Sequence, residues 1–382
     1  MDHLLELLQI AIGNREKLSC TPSIAEWTTL FLDAQKQALV GLLACGIERL
    51  PREQQPPQEI LFPWIGLTVQ IEQRNLVTTK ACFRLVDKLE KDGYKACVMK
   101  GQANHAYYPI ELARRRSCGD IDVWVVPDDK ECKNQRSTAV GKVKKDVRRI
   151  MNYLEENYTL TGLCWLHASM NDEEGIPIEV HFRPSFMNEP LHNRRFQKHF
   201  KDIVKCSCRK DIDGGQLPAM KVDEDVIYQM NHIYRHLIDE GVGMRQVVDY
   251  YFLLRAWNGQ HVRTKEATMK IVSWLGMRRF AGALMYVLHE VCGMSDELLL
   301  CPASKKNGQF LMSEIMLAGN FGHSDKRMMA LSSQSVFSRQ ISQAWRRFKR
   351  NIRFLTSYPG EVICEPFARM CHFIWKKLGL WR

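Results

Sequence analysis

The feature that most constrains this chain is a pair of aspartates at the start of a strongly apolar run. Asp120 and Asp122 lie two residues apart in GDIDVWVV, where the last four residues are all apolar. Residues two apart in a strand project from the same face, so both carboxylates face one way while Ile121 and Val123 face the other. Burying an unpaired charge is costly, so either the pair lies at an exposed strand end or a cation sits between the two side chains.

Three regions follow one another along the chain: helical, then mixed, then helical again. Residues 1–92 carry apolar residues at three- and four-residue spacing, which predicts helices interrupted by a loop at the prolines of 51–59. Residues 93–220 contain strand-like runs and one polar helix, and the helical pattern returns over 221–382 with a basic tail. The predicted strands are Tyr94–Met99, Asp120–Val126, Thr161–Met170 and Ile176–Phe182, and the predicted helix is Thr138–Asn157. The fold class is therefore α+β.

The bulk composition is ordinary for a globular protein. With 382 residues the chain is long for one core, so two or three packed subdomains are expected. No apolar run reaches the ~20 residues that span a bilayer, and the N-terminus lacks the basic start of a secretory signal. The 13 cysteines include no CxxC pair, which argues against a zinc ribbon. We expect a cytoplasmic protein with no transmembrane segment.

The positive charge is concentrated at the C-terminal end. The formal net charge is +11, and residues 339–382 contain ten Lys or Arg but only two acids, Glu361 and Glu365. Tryptophan and phenylalanine are interspersed with these cations, which suits an anionic membrane surface or a nucleic-acid backbone. The alternative is that the aromatic rings pack onto the helical region while the cations face water.

A third acid suited to the aspartate site lies on a later predicted strand. Glu179 is flanked by apolar neighbours in IPIEVH, residues 176–181. If this strand lies beside the first, Asp120, Asp122 and Glu179 are expected to hold divalent metal, because close carboxylates repel unless a cation neutralises them. Three such acids suit two Mg²⁺ ions, or Mn²⁺ in their place, ~3.5–4 Å apart as in two-metal phosphoryl transfer.

The turn Lys100-Gly101-Gln102 predicts a phosphate-binding site. It ends a strand and opens a helix, where a glycine allows close backbone approach and a helix N-terminus offers N–H donors. Lys100 and Arg116 are expected to supply positive charge to a triphosphate. The alternative for Arg116 is a surface residue in a basic loop.

Three histidines stand near these motifs. His181 shares a strand face with Glu179, so it is expected either to line the site or to be a core histidine. His232 and His236 have the spacing of zinc ligands on a helix, but no third ligand is evident. Structural or substrate-contacting roles are favoured for these two and for Arg245 and Asp249.

These motifs together resemble the DNA polymerase β-like nucleotidyltransferase superfamily, and within it a bacterial family of uncharacterised nucleotidyltransferases. The matching stretches are Met99–Asp122, Ile178–His181 and His232–Asp249. The resemblance implies a polymerase β-like core, a small mixed sheet with helices, flanked by N- and C-terminal helical regions. It also implies that Asp120, Asp122 and Glu179 are catalytic metal ligands and that Gly101 cradles phosphates. The chain departs from the superfamily at this turn, where Gln102 stands in place of the second Gly or Ser.

The reaction that this resemblance implies is Mg²⁺-dependent transfer of a nucleoside monophosphate. A nucleoside triphosphate, ATP among the candidates, is the donor, and the acceptor is a hydroxyl on a small molecule, a sugar, RNA or a protein. Glu179 or Asp122 helps to deprotonate that hydroxyl in the implied mechanism. The alternative is a nucleotide-binding or regulatory module with little turnover, recruited to RNA or membrane by residues 339–382.

Overall fold

The N-terminal region is helical, as predicted. The structure is a computed structural model of the chain, and it describes residues 2–128, 139–260, 263–320 and 336–379. Ser23 and Glu26 form a capping box, because each side chain accepts a hydrogen bond from the other residue's backbone N–H. This box begins the second of the four N-terminal helices, which are α1 (Asp2–Ala11), α2 (Ile24–Lys36), α3 (Val40–Arg49) and α4 (Gln58–Lys91).

The middle of the chain supplies the sheet. Within the described residues its strands are β1 (Tyr94–Met99), β2 (Ile121–Pro127), β3 (Leu160–Leu163), β4 (His167–Asn171), β5 (Pro177–His181), β6 (Ser207–Ile212) and β7 (Gly215–Met220). The helices between them are α5 (Ile110–Arg115), α6 (Ala139–Asn157), α7 (Pro190–His199) and α8 (Ile203–Cys206), and Gly101–Tyr107 forms a 3-10 helix after β1.

Two strand predictions need correction. The single strand predicted over Thr161–Met170 is divided into β3 and β4, which pair with each other in antiparallel fashion. The hairpin of β6 and β7 was not predicted, because the mostly polar β6 sequence SCRKDI lacks an alternating pattern of apolar residues.

The strands form one mixed sheet in the order β3-β4-β5-β2-β1-β7-β6. β2 pairs in parallel with β5, β1 pairs in parallel with β7, and the other neighbouring strands are antiparallel. The central position of β2 explains its apolar run, because a strand paired on both edges and covered on both faces leaves little room for water. The predicted α+β class is confirmed.

The C-terminal region is helical and packs on the N-terminal helices. The Asn14 side-chain amide donates hydrogen bonds to the Tyr251 hydroxyl at 2.8 Å and to the Cys292 carbonyl at 2.5 Å. The two flanking helical regions therefore share one core, while the predicted boundaries at residues 92 and 220 stay predictions. The C-terminal helices are α9 (Val222–Asp239), α10 (Met244–Gln260), α11 (Lys265–Trp274), α12 (Arg278–Cys292), α13 (Lys305–Ala318), α14 (Val336–Leu355) and α15 (Pro359–Lys377).

The two faces of β2 point into different cores. Ile121, Val123 and Val125 are buried against apolar side chains of α4 and α6. Trp124 projects from the opposite face into the larger core with α9 and α10, where it is 2% exposed. The acidic face of β2 therefore meets the C-terminal helices. Among the described helices, none is both long enough and apolar enough to cross a bilayer.

Candidate active site

Three carboxylates converge at the start of β2. The parallel register of β2 and β5 places Asp122 directly beside Glu179, and Asp120 immediately precedes β2. One carboxylate oxygen from each of Asp120, Asp122 and Glu179 lies within 4.8 Å of the others. The convergence predicted from the two motifs is therefore present, because residues opposite each other on neighbouring strands share a face.

Asp122 is the most buried of these acids, and the side chains of Lys100 and His181 contact it. Its side chain is 1% exposed; the Lys100 ammonium lies 2.9 Å from Oδ2, and His181 Nε2 lies 2.9 Å from Oδ1. Burial alone lowers the pKa of Lys100, but the charges of Asp122, Asp120 and Glu179 outweigh it and raise that pKa above its usual value. Lys100 is therefore a fixed positive charge inside the acidic cluster.

The backbone at Lys100 and Gly101 adopts an unusual conformation. Lys100 has φ +43° and ψ −154°, and Gly101 has φ +50°. A side chain in this region of φ costs free energy, which a glycine avoids and Lys100 does not. The turn ends β1 at Met99 and directs the Lys100 side chain toward Asp122 on the neighbouring strand.

Glu179 and His181 form a second set of contacts that includes a residue not predicted from the sequence. Glu179 Oε2 lies 3.3 Å from His181 Nε2 and 3.2 Å from His167 Nδ1 on β4. Burial opposes ionisation of Glu179, but the hydrogen bond with His181 and the nearby positive charges lower its pKa to about 2. Burial, with the charge of His181, lowers the pKa of His167 to about 4. His167 was overlooked because its strand was not separated from β3.

Arg116 is held by an acid from the C-terminal region. Its guanidinium donates two hydrogen bonds to the Asp249 carboxylate, at 2.5 and 2.6 Å, and only 3% of Arg116 is exposed. Tyr108 also donates to Asp249 at 2.7 Å. Arg116 is therefore buried and is not a surface residue. Its role in phosphate binding stays a prediction, in which a phosphate would contact a guanidinium already paired with Asp249.

Two clefts meet at Lys100 and Asp120. The larger is a cavity of about 390 Å³, and the smaller is lined by Gly101, Arg116, Asp122 and Arg245 among others. Gln102 is buried, and within the described residues neither its amide nitrogen nor its amide oxygen has a hydrogen-bond partner. The larger cavity is lined by Lys100, Asp120, His167, Glu179, His181, Pro184, Tyr228, His232, Arg235, His236 and Glu240.

The two histidines of α9 belong to this cavity. His232 and His236 have ring centroids 4.3 Å apart, and His236 Nδ1 lies 3.1 Å from a carboxylate oxygen of Glu240. Burial, helped by the charge of Lys100, lowers the pKa of His232 well below its usual value. Burial also lowers the pKa of His236, so α9 contributes two neutral imidazoles to the cavity lining. The i, i+4 spacing in the sequence was the signal that they share one helix face.

The chain is similar to proteins described as nucleotidyltransferases. A family model described as "Uncharacterised nucleotidyltransferase" matches residues 23–293, which is most of the chain and includes all the acids described above. Among solved structures, the chain is similar to an antigenic nucleotidyltransferase-like protein from Paracoccidioides brasiliensis, with 9% identity, a TM-score of 0.33, and coverage of 60% of this chain and 95% of that one. No curated protein matches the sequence. The chain belongs to the family of uncharacterised nucleotidyltransferases.

Proposed function

We propose that this protein transfers a nucleoside monophosphate from a nucleoside triphosphate to an acceptor hydroxyl, releasing pyrophosphate and the proton of the hydroxyl, with Mg²⁺ or Mn²⁺ held by Asp120, Asp122 and Glu179. The observation that carries the proposal is the convergence of these three carboxylates within 4.8 Å. Carboxylate oxygens are suitable ligands for both ions. The position of the Lys100 ammonium, 2.9 Å from Asp122, supports the view that positive charge is favourable here.

The residues around the cluster have separate roles in this proposal. Bound divalent ions supply Lewis-acid charge to the phosphate oxygens. Glu179, with a pKa of about 2, is ionised at neutral pH, and in this proposal it accepts a hydrogen bond from the incoming hydroxyl. Lys100 adds a fixed positive charge, and the N–H groups that follow Gly101 face the phosphates as hydrogen-bond donors. His181 positions both Asp122 and Glu179.

The test is transfer of label from each α-phosphate-labelled triphosphate, with Mg²⁺ and a cell extract as the source of acceptor. We expect one labelled product, and we expect Asp122→Asn to reduce it by more than about a hundredfold while the protein stays folded. Asp87→Asn, an exposed acid on α4, is the matched control and should label normally. Full labelling by Asp122→Asn would contradict the proposal.

A second candidate is a nucleotide-binding module with little turnover. It is favoured by the same Lys100–Asp122 contact, since an ammonium beside the acids lessens their need for a metal. Under this alternative, the wild-type protein binds a triphosphate but yields no labelled product with any extract. Equilibrium dialysis with the labelled triphosphates establishes binding, and the labelling assay then separates the two candidates by the presence or absence of product.

A further inference from the structure

A second group of metal-binding donors lies beside the three carboxylates. His167 Nδ1, Glu179 Oε2 and His181 Nε2 lie within 4.8 Å of one another. The antiparallel register of β4 and β5 places His167 directly opposite His181, so both rings project from the same face of the sheet as Glu179. Two adjacent strands therefore hold two imidazoles and a carboxylate toward one point.

The spacing of these donors is that of ligands around one ion. Glu179 Oε2 lies 3.2 Å from His167 Nδ1 and 3.3 Å from His181 Nε2. Ligands that are each ~2.0–2.2 Å from a tetrahedral metal are separated by roughly 3.3 Å. His167 Nδ1 is also buried without a hydrogen-bond partner among the described residues, which leaves its lone pair available. Asp122, 2.9 Å from His181 Nε2, borders the same point.

We propose that His167, Glu179 and His181 bind a transition-metal ion, of the class of Zn²⁺, Co²⁺ or Mn²⁺, which Mg²⁺ does not replace. Imidazole nitrogen suits these ions, whereas Mg²⁺ prefers oxygen ligands and retains its waters. The inference deepens the proposed function and rests on it only in that Glu179 is shared with the proposed catalytic ions. Binding at His167 itself requires no turnover.

The test is titration of the full chain with Co²⁺, followed by visible absorption, without nucleotide. We expect one site whose ligand-field bands indicate nitrogen ligands, and an excess of Mg²⁺ should leave these bands in place. His167→Ala should weaken Co²⁺ binding by at least about tenfold. His167→Gln serves as a second variant in case the alanine variant does not fold. His289→Ala, a histidine with a half-exposed side chain on α12, is the matched control and should bind Co²⁺ normally.

The outcomes separate this inference from the proposed function. Unchanged Co²⁺ binding by folded His167→Ala and His167→Gln overturns the transition-metal site, whatever the labelling assay shows. Normal Co²⁺ binding by a wild-type protein that labels no product supports the site and contradicts only the transfer activity. Displacement of Co²⁺ by Mg²⁺ also overturns the inference, because it would assign the ion to the carboxylates alone.

A separate surface carries a second inference. The C-terminal hairpin, defined here as α14 and α15, exposes many large apolar side chains to solvent. Five of them lie along α15 and its C-terminal cap at spacings of four and three residues, and each is at least 43% exposed. Soluble monomeric proteins rarely expose an apolar surface of this extent to water, and such a surface usually marks an interaction site. The exposed residues are Trp345, Phe348, Ile352 and Leu355 on α14, Ile363, Phe367, Met370, Phe373 and Ile374 on α15, and Leu378 at its C-terminal cap.

The charge exposed on the same hairpin is positive. Residues 345–379 contain two acids, Glu361 and Glu365, and each is 5% exposed. Lys349, Lys376 and Lys377 are exposed on the same two helices. The aromatic rings of the basic tail therefore do not all pack into the protein, which was one of the two sequence-based interpretations. Of the predicted anionic-partner segment 339–382, residues 380–382 lie outside the described residues.

We propose that the C-terminal hairpin docks on an anionic lipid surface. Moving apolar side chains such as Ile363, Met370 and Leu378 from water into lipid hydrocarbon is favourable in free energy. Contact with a charged nucleic-acid backbone offers these side chains little such stabilisation. Basic residues beside an apolar helix face are the pattern of helices that lie in the plane of an anionic membrane interface. Within the described residues no helix spans a bilayer, so the docking is peripheral.

The test is co-sedimentation of the full chain with vesicles of phosphatidylcholine alone or mixed with phosphatidylserine. We expect binding to the mixed vesicles, weakened by salt, and a loss of at least about tenfold for the double variant Phe367→Ser/Ile374→Ser. Ile65→Ser/Leu76→Ser, which changes two exposed apolar residues of α4, is the matched control. Binding to poly(U) RNA but not to vesicles, or unchanged binding by the α15 variant, overturns the proposal.

Discussion

The ammonium of Lys100 lies 2.9 Å from Oδ2 of Asp122, whose side chain is 1% exposed. The two residues belong to adjacent antiparallel strands, and Met99 is the residue directly opposite Asp122. The positive φ of Lys100 turns the chain just after β1, so that the lysine side chain reaches the acid. A buried carboxylate thereby has a permanent counter-charge, and the contact links the proposed phosphate-binding turn to the strand that carries the proposed metal ligands.

Replacing Lys100 with methionine should destabilise the protein and make its stability depend on metal. The Asp122 carboxylate would then be buried with His181 as its remaining partner, at a cost of about 3 kcal/mol. Saturating Mn²⁺ should raise the melting temperature of Lys100→Met more than that of the wild type, since the ion replaces the lost charge. Thermal unfolding with and without Mn²⁺ measures both effects. Lys95→Met, which removes an exposed ion pair with Asp128, should change stability by less than about 1 kcal/mol. Equal Mn²⁺ shifts in Lys100→Met and wild type would be evidence against a cation site at Asp122.

Gly101→Ala should be destabilising because of backbone conformation and not because of crowding. Gly101 has φ +50°, and the nearest atom to an added Cβ, the Asp120 carbonyl oxygen, lies 3.5 Å away, which is an ordinary contact. We expect a loss of about 1 kcal/mol in the free energy of unfolding. Gly66→Ala, in α4 with no atom near its added Cβ, should instead stabilise by roughly 0.5–1 kcal/mol. Urea unfolding of the two variants gives the comparison. Stabilisation by Gly101→Ala would show that the turn does not hold this conformation in solution.

Asp249→Ala should cost about 3–5 kcal/mol, because it leaves the Arg116 guanidinium buried without its bidentate partner. Glu111→Ala, which removes a partly exposed ion pair with Arg49, is the control and should cost less than about 1 kcal/mol. Denaturant titration gives both values. A small loss for Asp249→Ala would mean that solvent reaches Arg116, and the residue would then be free to contact phosphate as the sequence predicted.

Stability should fall as the pH rises toward 10 because of His105. Burial lowers the pKa of His105, but hydrogen bonds with Asp213 at 2.9 Å and with Cys118 outweigh it and raise the pKa to about 9. In the unfolded chain the pKa of this group is near 6.5. The contribution of protonated His105 to the free energy of unfolding is therefore complete below about pH 6.5 and disappears as the pH passes 9. We expect a loss of about 2 kcal/mol between pH 7 and pH 10, and His105→Gln should not show it.

The measurement for His105 is made in the wild-type protein and again on a Cys118→Ser background, where a smaller loss is expected because one of the two contacts that raise the pKa of His105 is changed. Cys118 Sγ lies 3.7 Å from His105 Nε2, so its titration would overlap with that of the imidazole. The free energy of unfolding is compared at the two pH values for Cys118→Ser with and without His105→Gln. Identical pH dependence in the two proteins would rule out His105 as the titrating group.

The sequence by itself determined which side chains share a face. The two-residue period of a strand places Asp120 with Asp122 and Glu179 with His181, and flanking apolar residues indicated that each pair begins or lies within a buried strand. These are local properties, because a strand's alternation does not depend on its neighbours. The same local patterns predicted the helical flanks and the α+β class.

Only the tertiary structure decided which of these faces meet. The pairing of β2 with β5 brings Glu179 to Asp122, and the pairing of β4 with β5 adds His167, which local pattern did not single out. Arg116 and Asp249 are 133 residues apart in sequence, and their contact depends on how α10 packs against the sheet. Sheet order and register are non-local, and a slip of one residue would move every side chain to the opposite face. For this reason the residue types of the site were predictable, whereas the partners of Lys100 and Arg116 and the contact of Glu179 with His167 were not.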